Sequence, residues 1–286
     1  MVAVEAQTSP YEVTNGEMKY VTGHHPVQAK DDSRIEIGST ADIWSHSLRP
    51  DVVIKAPHSH EALLDLDLQN KCCTEAAILE SLGSHPRIIK TARSTTAPQG
   101  LALAEAPNGD VANYLTTHGD TIDVSLRLKW CKQAAEGLAY CHSHAVLHCD
   151  LRPDNMLLDI NLDLSLCDFE GSKNAQYNGG GLPDFGLCHP KDDFADVTEA
   201  IEVFGLGPCM YTFMTGLIPH GNSAFTAHYM FDHHEKFTRR INQGDYPDIP
   251  TLDGGDIIQQ CWTEKIESAR DVYSCYVNLE RQREDQ

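Results

Sequence analysis

Asp150 and Asn155 stand five positions apart on one short segment, His148-Cys149-Asp150-Leu151-Arg152-Pro153-Asp154-Asn155, and Asp168 follows Asn155 by thirteen. One carboxylate can orient a hydroxyl nucleophile. An amide and a second carboxylate can hold Mg²⁺, which prefers hard oxygen donors. Together these are the groups that phosphoryl transfer needs, since that chemistry depends on positioning and on neutralising charge rather than on covalent intermediates. Each residue alone is a weak signal; the order and spacing carry the argument.

The flanking sequence predicts elements able to hold these groups. Residues 1–33 are polar and aperiodic and read as a flexible leader. Short strands fit Arg34–Ile37, Ala41–Trp44 and Asp51–Ala56, the last containing the β-branched run Val52-Val53-Ile54. A helix follows, with Ile78, Leu79 and Leu82 at helical spacing and Gly83 as its C-cap. Strands at Arg87–Thr91 and Leu101–Ala104 complete a five-stranded antiparallel sheet plus one helix over residues 34–106, and Pro107-Asn108-Gly109-Asp110 is a turn. Residues 107–286 read as mainly helical: Cys131, Ala134, Ala135, Leu138 and His142 share a helix face, and Phe204–Thr215 is a buried helix. Leu162, Leu164 and Leu166 alternate with polar residues as a strand that delivers Asp168. The expected class is α+β with a small sheet-bearing lobe and a larger helical one.

The segment around Asp150 and the triplet Asp168-Phe169-Glu170 resemble the catalytic loop H-R-D-L-K-P-x-N and the metal motif D-F-G of the protein-kinase superfamily. Val52-Val53-Ile54-Lys55 resembles the V-A-I-K strand, and Glu75, twenty residues on, stands where the family pairs a Glu with that Lys. Further matches are Ile37-Gly38, Glu202-Val203-Phe204-Gly205-Leu206-Gly207 and Cys261-Trp262, so the resemblance runs over roughly residues 35–280. It implies a bilobal kinase-like fold, and the degenerate ending is similar to that of divergent fungal kinase-like proteins. It also implies ATP and Mg²⁺ as cofactors and a protein substrate phosphorylated on Ser/Thr. In that reading Asp150 orients the substrate hydroxyl, Arg152 neutralises the transferring phosphate, and Asn155 and Asp168 hold metal. Lys55, fixed by Glu75, holds the ATP phosphates. Ile37, Gly38, Ile43, Val53, Leu103, Ala104, Ala106 and Leu157 line the nucleotide pocket, Leu103 as its gatekeeper.

The chain departs from the pattern in informative places. Gly38-Ser39-Thr40-Ala41-Asp42-Ile43-Trp44 keeps one glycine of a glycine-rich loop and is short by two residues, and Asp42 adds negative charge where phosphates are expected. Cys149 replaces an Arg that pairs with an activation-loop phosphate in many kinases, and between Phe169 and His189 only Ser172 and Tyr177 carry hydroxyls. Glu170 replaces the Gly of the metal motif, and Glu202 replaces a buried Asp that braces the catalytic loop. Lys191 takes the place of the A-P-E glutamate while Ala269 falls near its lost Arg partner. Losing both members of a buried pair can be nearly neutral. Two readings follow: an active Ser/Thr protein kinase, favoured because all the polar groups are retained, or a pseudokinase scaffold with weak or no phosphotransfer. No G-x-x-x-x-G-K-[ST] occurs, which argues against a small-molecule P-loop kinase.

Bulk composition narrows the class further. With 41% hydrophobic residues the chain can bury a core, and a net charge of −20 repels phosphate backbones, so nucleic acid is not an expected partner. Ten Cys without a C-x-x-C pair, several in apolar helical stretches, suggest reduced buried thiols. No secretory signal or membrane span is read from the sequence, and a cytoplasmic or nuclear location is expected. Oligomeric state has no signature.

Overall fold

The computed structural model describes residues 11–14, 17–20, 33–37, 41–46, 49–57, 66–92, 100–179, 197–221, 237, 239–249 and 251–285. The chain divides into two compact units, one made of Met1–Glu80 with Lys90–Glu105, the other of Ser81–Ile89 with Ala106–Gln286.

The first unit contains two sheets. Strands β1 (Tyr11–Thr14) and β2 (Glu17–Tyr20) form an antiparallel hairpin that the polar composition of residues 1–33 does not announce. Strands β3 (Arg34–Ile37), β4 (Ala41–Ser45), β5 (Val52–Pro57) and β6 (Leu101–Ala104) form an antiparallel sheet in that order. In β4–β5–β6, Ile43 lies opposite Lys55, Lys55 opposite Leu101, and Val53 opposite Leu103. Directly opposed residues share a face, and alternate residues of a strand do too. Ile43, Val53, Lys55, Leu101 and Leu103 therefore line one side of the sheet.

The sheet has four strands rather than the expected five. Residues 87–91 contribute only single bridges, Ile88 with Leu166 and Thr91 with Leu103. Ile88 N–H is spent on a turn to His85 O, and Ile89 N–H and Arg87 O bond to Leu166, leaving Lys90–Ala92 alone to reach β6. Helix α1 (Leu66–Leu82) buries Ile78, Leu79 and Leu82 and ends at Gly83, whose φ of +67° is the left-handed C-cap expected.

The second unit is mainly helical. Helix α2 (Val111–His118) is N-capped by Asp110, and α3 (Val124–Ser143) by Asp123. Strands β7 (Met156–Leu158) and β8 (Leu164–Leu166) pair as a short hairpin; Leu162, expected as strand, takes a positive φ in the turn before β8. Helix α4 (Glu199–Thr215) is capped by Thr198, closed by Gly216 and buried along most of its length; it contains the expected helix at 204–215. Helices α5 (Gly255–Trp262) and α6 (Ala269–Glu284) follow, α5 packed on α4 and α6 on α3. A Cβ on Gly207 would lie 2.6 Å from the Trp262 indole, so the α4–α5 approach requires glycine there. Cys131, Cys141, Cys209 and Cys261 are buried free thiols, as their apolar surroundings suggest. Among the described residues no helix is long and apolar enough to cross a membrane. The architecture is the α+β class expected, with a small sheet-bearing unit and a larger helical one.

Candidate active site

In the first unit, Lys55 Nζ and Glu75 Oε2 form an ion pair at 2.7 Å, with both side chains nearly sealed from solvent. The strand places Lys55 between two paired neighbours, so its stem is fixed by the sheet and its ammonium by the carboxylate. The apolar residues expected around a nucleotide, Ile43, Val53 and Leu103, stand on the same sheet face as Lys55. Glu36 lies opposite Ile43, and Ile37 pairs with Asp42. The β3–β4 register shifts between Arg34 and Glu36.

The same register alters the expectation for Asp42. Its carboxylate is buried on the side opposite Lys55, 3.6 Å from the Arg34 guanidinium, so its charge is not presented on the Lys55 face. Gly38, like Lys191, lies outside the described residues. Ala104 donates its N–H to Lys90 O, which leaves its carbonyl as the group available at that position. In the second unit Ala106 accepts from Gly109 N–H at the expected turn, and Leu157 is half-buried on β7.

The loop that carries Asp150 in the second unit is held from several sides. Asp150 N–H donates to His148 Nδ1 at 3.3 Å, so the other nitrogen, Nε2, carries the proton and donates to Cys167 O at 2.9 Å. Burial lowers the His148 pKa, consistent with this neutral imidazole. Cys149 adopts φ +62° and donates its N–H to Glu202 Oε1 at 2.7 Å, while Glu202 Oε2 meets His142 Nε2 at 2.7 Å. Glu202 thus makes the brace expected of the shorter Asp, reaching from α4 to the loop with an imidazole on α3 as its second partner.

Asp150 and Asn155 are brought together. A single 3-10 turn over Pro153–Asn155, begun by the fixed φ of Pro153, swings the Asn155 amide back. Its Nδ2 donates to Asp150 O at 2.9 Å and to Asp150 Oδ2 at 2.8 Å. Both partners are acceptors, so the nitrogen must face them and Oδ1 is left to face elsewhere. Among the described residues Asp150 Oδ1 has no hydrogen-bond partner, and the residue as a whole is half-buried. Burial, reinforced by the Asp168 charge, pushes the Asp150 carboxyl up to about 7 against the opposing pull of Arg152.

Asp168 sits just beyond β8 with φ +63°, and the preceding Cys167 N–H donates to Asn155 O at 3.0 Å, tying the metal motif to the catalytic loop. Asn155 Oδ1 and the Asp168 carboxylate are oxygen donors that suit Mg²⁺. Glu170 does not adopt positive φ, so this position tolerates a residue other than glycine. Arg152, expected beside a phosphate, is paired in a two-pronged contact with Asp154.

Three contributors are not evident from the sequence: Asp154 as the Arg152 partner, His142 as the Glu202 partner, and Ser172. The Ser172 hydroxyl is buried and donates to His148 O at 3.0 Å. The sequence separations of 60 for His142–Glu202 and 24 for Ser172–His148 give a single sequence no local period to reveal them.

A profile of the protein kinase domain matches residues 36–273. The curated protein named sucrose non-fermenting protein kinase 1, from Fusarium virguliforme, is 26% identical over 168 residues, covering 56% of this chain and 24% of that protein. Serine/threonine-protein kinase SIK1 of Mus musculus is 29% identical over 164 residues, 54% of this chain and 21% of its own length. Serine/threonine-protein kinase SIK2 of Gallus gallus is 29% identical over 164 residues, 54% of this chain and 20% of its own length. The aligned part spans about a fifth to a quarter of these relatives.

Proposed function

Because the chain belongs to the protein kinase domain family, we propose that it is an ATP- and Mg²⁺-dependent protein kinase that phosphorylates Ser or Thr of a protein substrate. The observation that carries the reading is the Asp150–Asn155 pair. A buried carboxylate keeps one oxygen unpartnered, and its other oxygen is fixed by the amide of the residue that would hold metal.

Asp150 Oδ1 accepts the hydrogen bond of the incoming hydroxyl and orients its lone pair, and with a pKa near 7 it can take the proton as transfer completes. Asn155 Oδ1 and Asp168 would hold Mg²⁺, which neutralises charge on the phosphates when bound. Lys55, steadied by Glu75, would bind the α and β phosphates. The face carrying Ile43, Val53 and Leu103 would cover the base. Arg152 would offer a cation to the transferring group once it exchanges Asp154 for phosphate. The specificity for Ser/Thr is supported by the names of the SIK1 and SIK2 relatives, which are serine/threonine-protein kinases.

Asp42, expected to place negative charge near the phosphates, lies on the far sheet face beside Arg34, which favours nucleotide binding on the Lys55 face. The test is phosphorylation of a peptide array by purified protein with Mg²⁺ and labelled ATP. Label on Ser/Thr peptides that disappears in Asp150→Asn supports the reading. Nucleotide binding without any transfer by the wild type assigns the chain to the pseudokinase class instead.

A further inference from the structure

The guanidinium of Arg152, the cation expected to meet the transferring phosphate, is already engaged. Its Nε donates to Asp154 Oδ1 and its Nη2 to Asp154 Oδ2, a two-pronged contact between residues two apart. The local backbone makes this contact possible. Arg152 is extended, at φ −156° and ψ 155°, Pro153 opens the 3-10 turn, and Asn155 N–H closes it on Arg152 O at 3.0 Å. Both side chains leave this one turn and are only partly exposed, 19% for Arg152 and 32% for Asp154. The surroundings are acidic: the Asp154 charge is felt at Asp150 and at Asp110, the cap of α2. Asp154 therefore occupies the fork of Arg152 and also repels an anion that approaches it. A guanidinium grips carboxylate and phosphate oxygens with the same planar pair of N–H groups, so the two acceptors exclude each other. The Lys of the family motif is a point charge without that fork.

We propose that Asp154 is an internal competitor for the transferring phosphate: it holds Arg152 in a closed fork that must open before the cation reaches the phosphoryl oxygens. The proposal rests on the kinase reading of Asp150 and Arg152. Asp154 acts through Arg152 and is a positioning residue. Opening the fork forfeits the ion pair, and that loss falls on the step in which charge shifts onto the transferring group. The pair therefore limits kcat and leaves KM for ATP unchanged. The lock needs both members. Lys at position 152 would meet Asp154 through one rotatable ammonium, and Asn at position 154 would remove the charge while keeping the side chain's shape and the turn. The combination of Arg152 with Asp154, rather than either residue alone, sets the rate.

The experiment measures kcat and KM for ATP in wild type, Asp154→Asn, Arg152→Lys and the double variant. The acceptor is the Ser/Thr peptide that wild type or Asp154→Asn labels best on the array. Asp154→Asn raises kcat by about fivefold or more, with KM for ATP within about twofold of wild type. In the Arg152→Lys background the same change raises kcat by less than about twofold. In parallel, the Arg152 Nε–H resonance of isotope-labelled protein is followed as inorganic phosphate is added. Half of its shift is reached at about threefold lower phosphate, or less, in Asp154→Asn than in wild type. A wild type that transfers phosphate, with kcat lower or raised less than about twofold in Asp154→Asn, overturns the competitor and leaves the kinase reading standing. Equal phosphate titrations overturn it as well. Transfer by Asp154→Asn and none by wild type supports it. If no form transfers phosphate, the kinase reading fails, and the phosphate titration alone then decides the competitor.

Discussion

Replacing Asp150 by Asn tests whether the site stores instability for the sake of chemistry. The Asp150 carboxyl is pushed from the ordinary 3.8 up to about 7, chiefly by burial. A proton held roughly a thousandfold more tightly in the folded state corresponds to about 4 kcal/mol. The sign follows from which state ionises first. Below pH 3.8 both states are protonated and the group costs nothing. Between 3.8 and 7 the unfolded chain ionises while the folded one holds its proton, so the cost to folding grows with pH. Above about 7 it is constant. Asn carries no such term. Its own cost, an amide N–H₂ where Oδ1 now lacks a partner, is about 1 kcal/mol and independent of pH. Relative to wild type, Asp150→Asn should therefore gain stability from pH 5 to pH 8, by about 2.5 kcal/mol. Urea unfolding in chelator at the two pH values measures this, and phosphotransfer by the variant should fall by about 10²-fold or more. A stability difference that is flat across that range, or that shrinks as pH rises, refutes the claim that the carboxylate is held in a desolvated site.

Lys55→Met should abolish phosphotransfer and also destabilise the first unit by ~3–5 kcal/mol, because Glu75 is left buried without its cation; Lys55→Met with Glu75→Leu should recover stability but not activity, as read by thermal melts and peptide phosphorylation. Glu202→Asp shortens the brace by one methylene and cannot keep both 2.7 Å contacts, so kcat should fall about tenfold, or ~1.4 kcal/mol in barrier, with the melting temperature reporting any general loss. Gly207→Ala should destabilise by ~1–3 kcal/mol in chemical denaturation, since its Cβ would strike the Trp262 ring. Tyr177→Phe keeps the backbone turn on Asn174 and should change kcat less than about tenfold in steady-state assays.

Much of the framework is legible because it is local. The β-branched run at Val52–Ile54, the Gly83 cap and the buried spacing of α3 and α4 are signals within one element, and each appears where expected. The motif residues are legible for a different reason: Asp150 and Asn155 meet through a single tight turn, so their spacing already encodes their contact. What is not legible depends on long-range choices. Arg87–Thr91 has the composition of a strand, yet its hydrogen bonds are divided between Leu166 and β6, which only the assembled chain decides. The register shift between Arg34 and Glu36 on β3 likewise has no local signature in the sequence. The Ser172–His148 contact is 24 residues apart in sequence and has no local signature.

The central claim is that Asp150, Asn155 and Asp168, as the second unit holds them, support phosphoryl transfer. The most direct measurement is the rate of ³²P transfer from Mg-ATP to a Ser/Thr peptide pool, wild type against Asp168→Ala at equal folded fraction. The account predicts measurable transfer by the wild type that is lost without Mg²⁺ and lost in Asp168→Ala. Equal rates in the two proteins, or a folded wild type that binds Mg-ATP and transfers nothing, would contradict it.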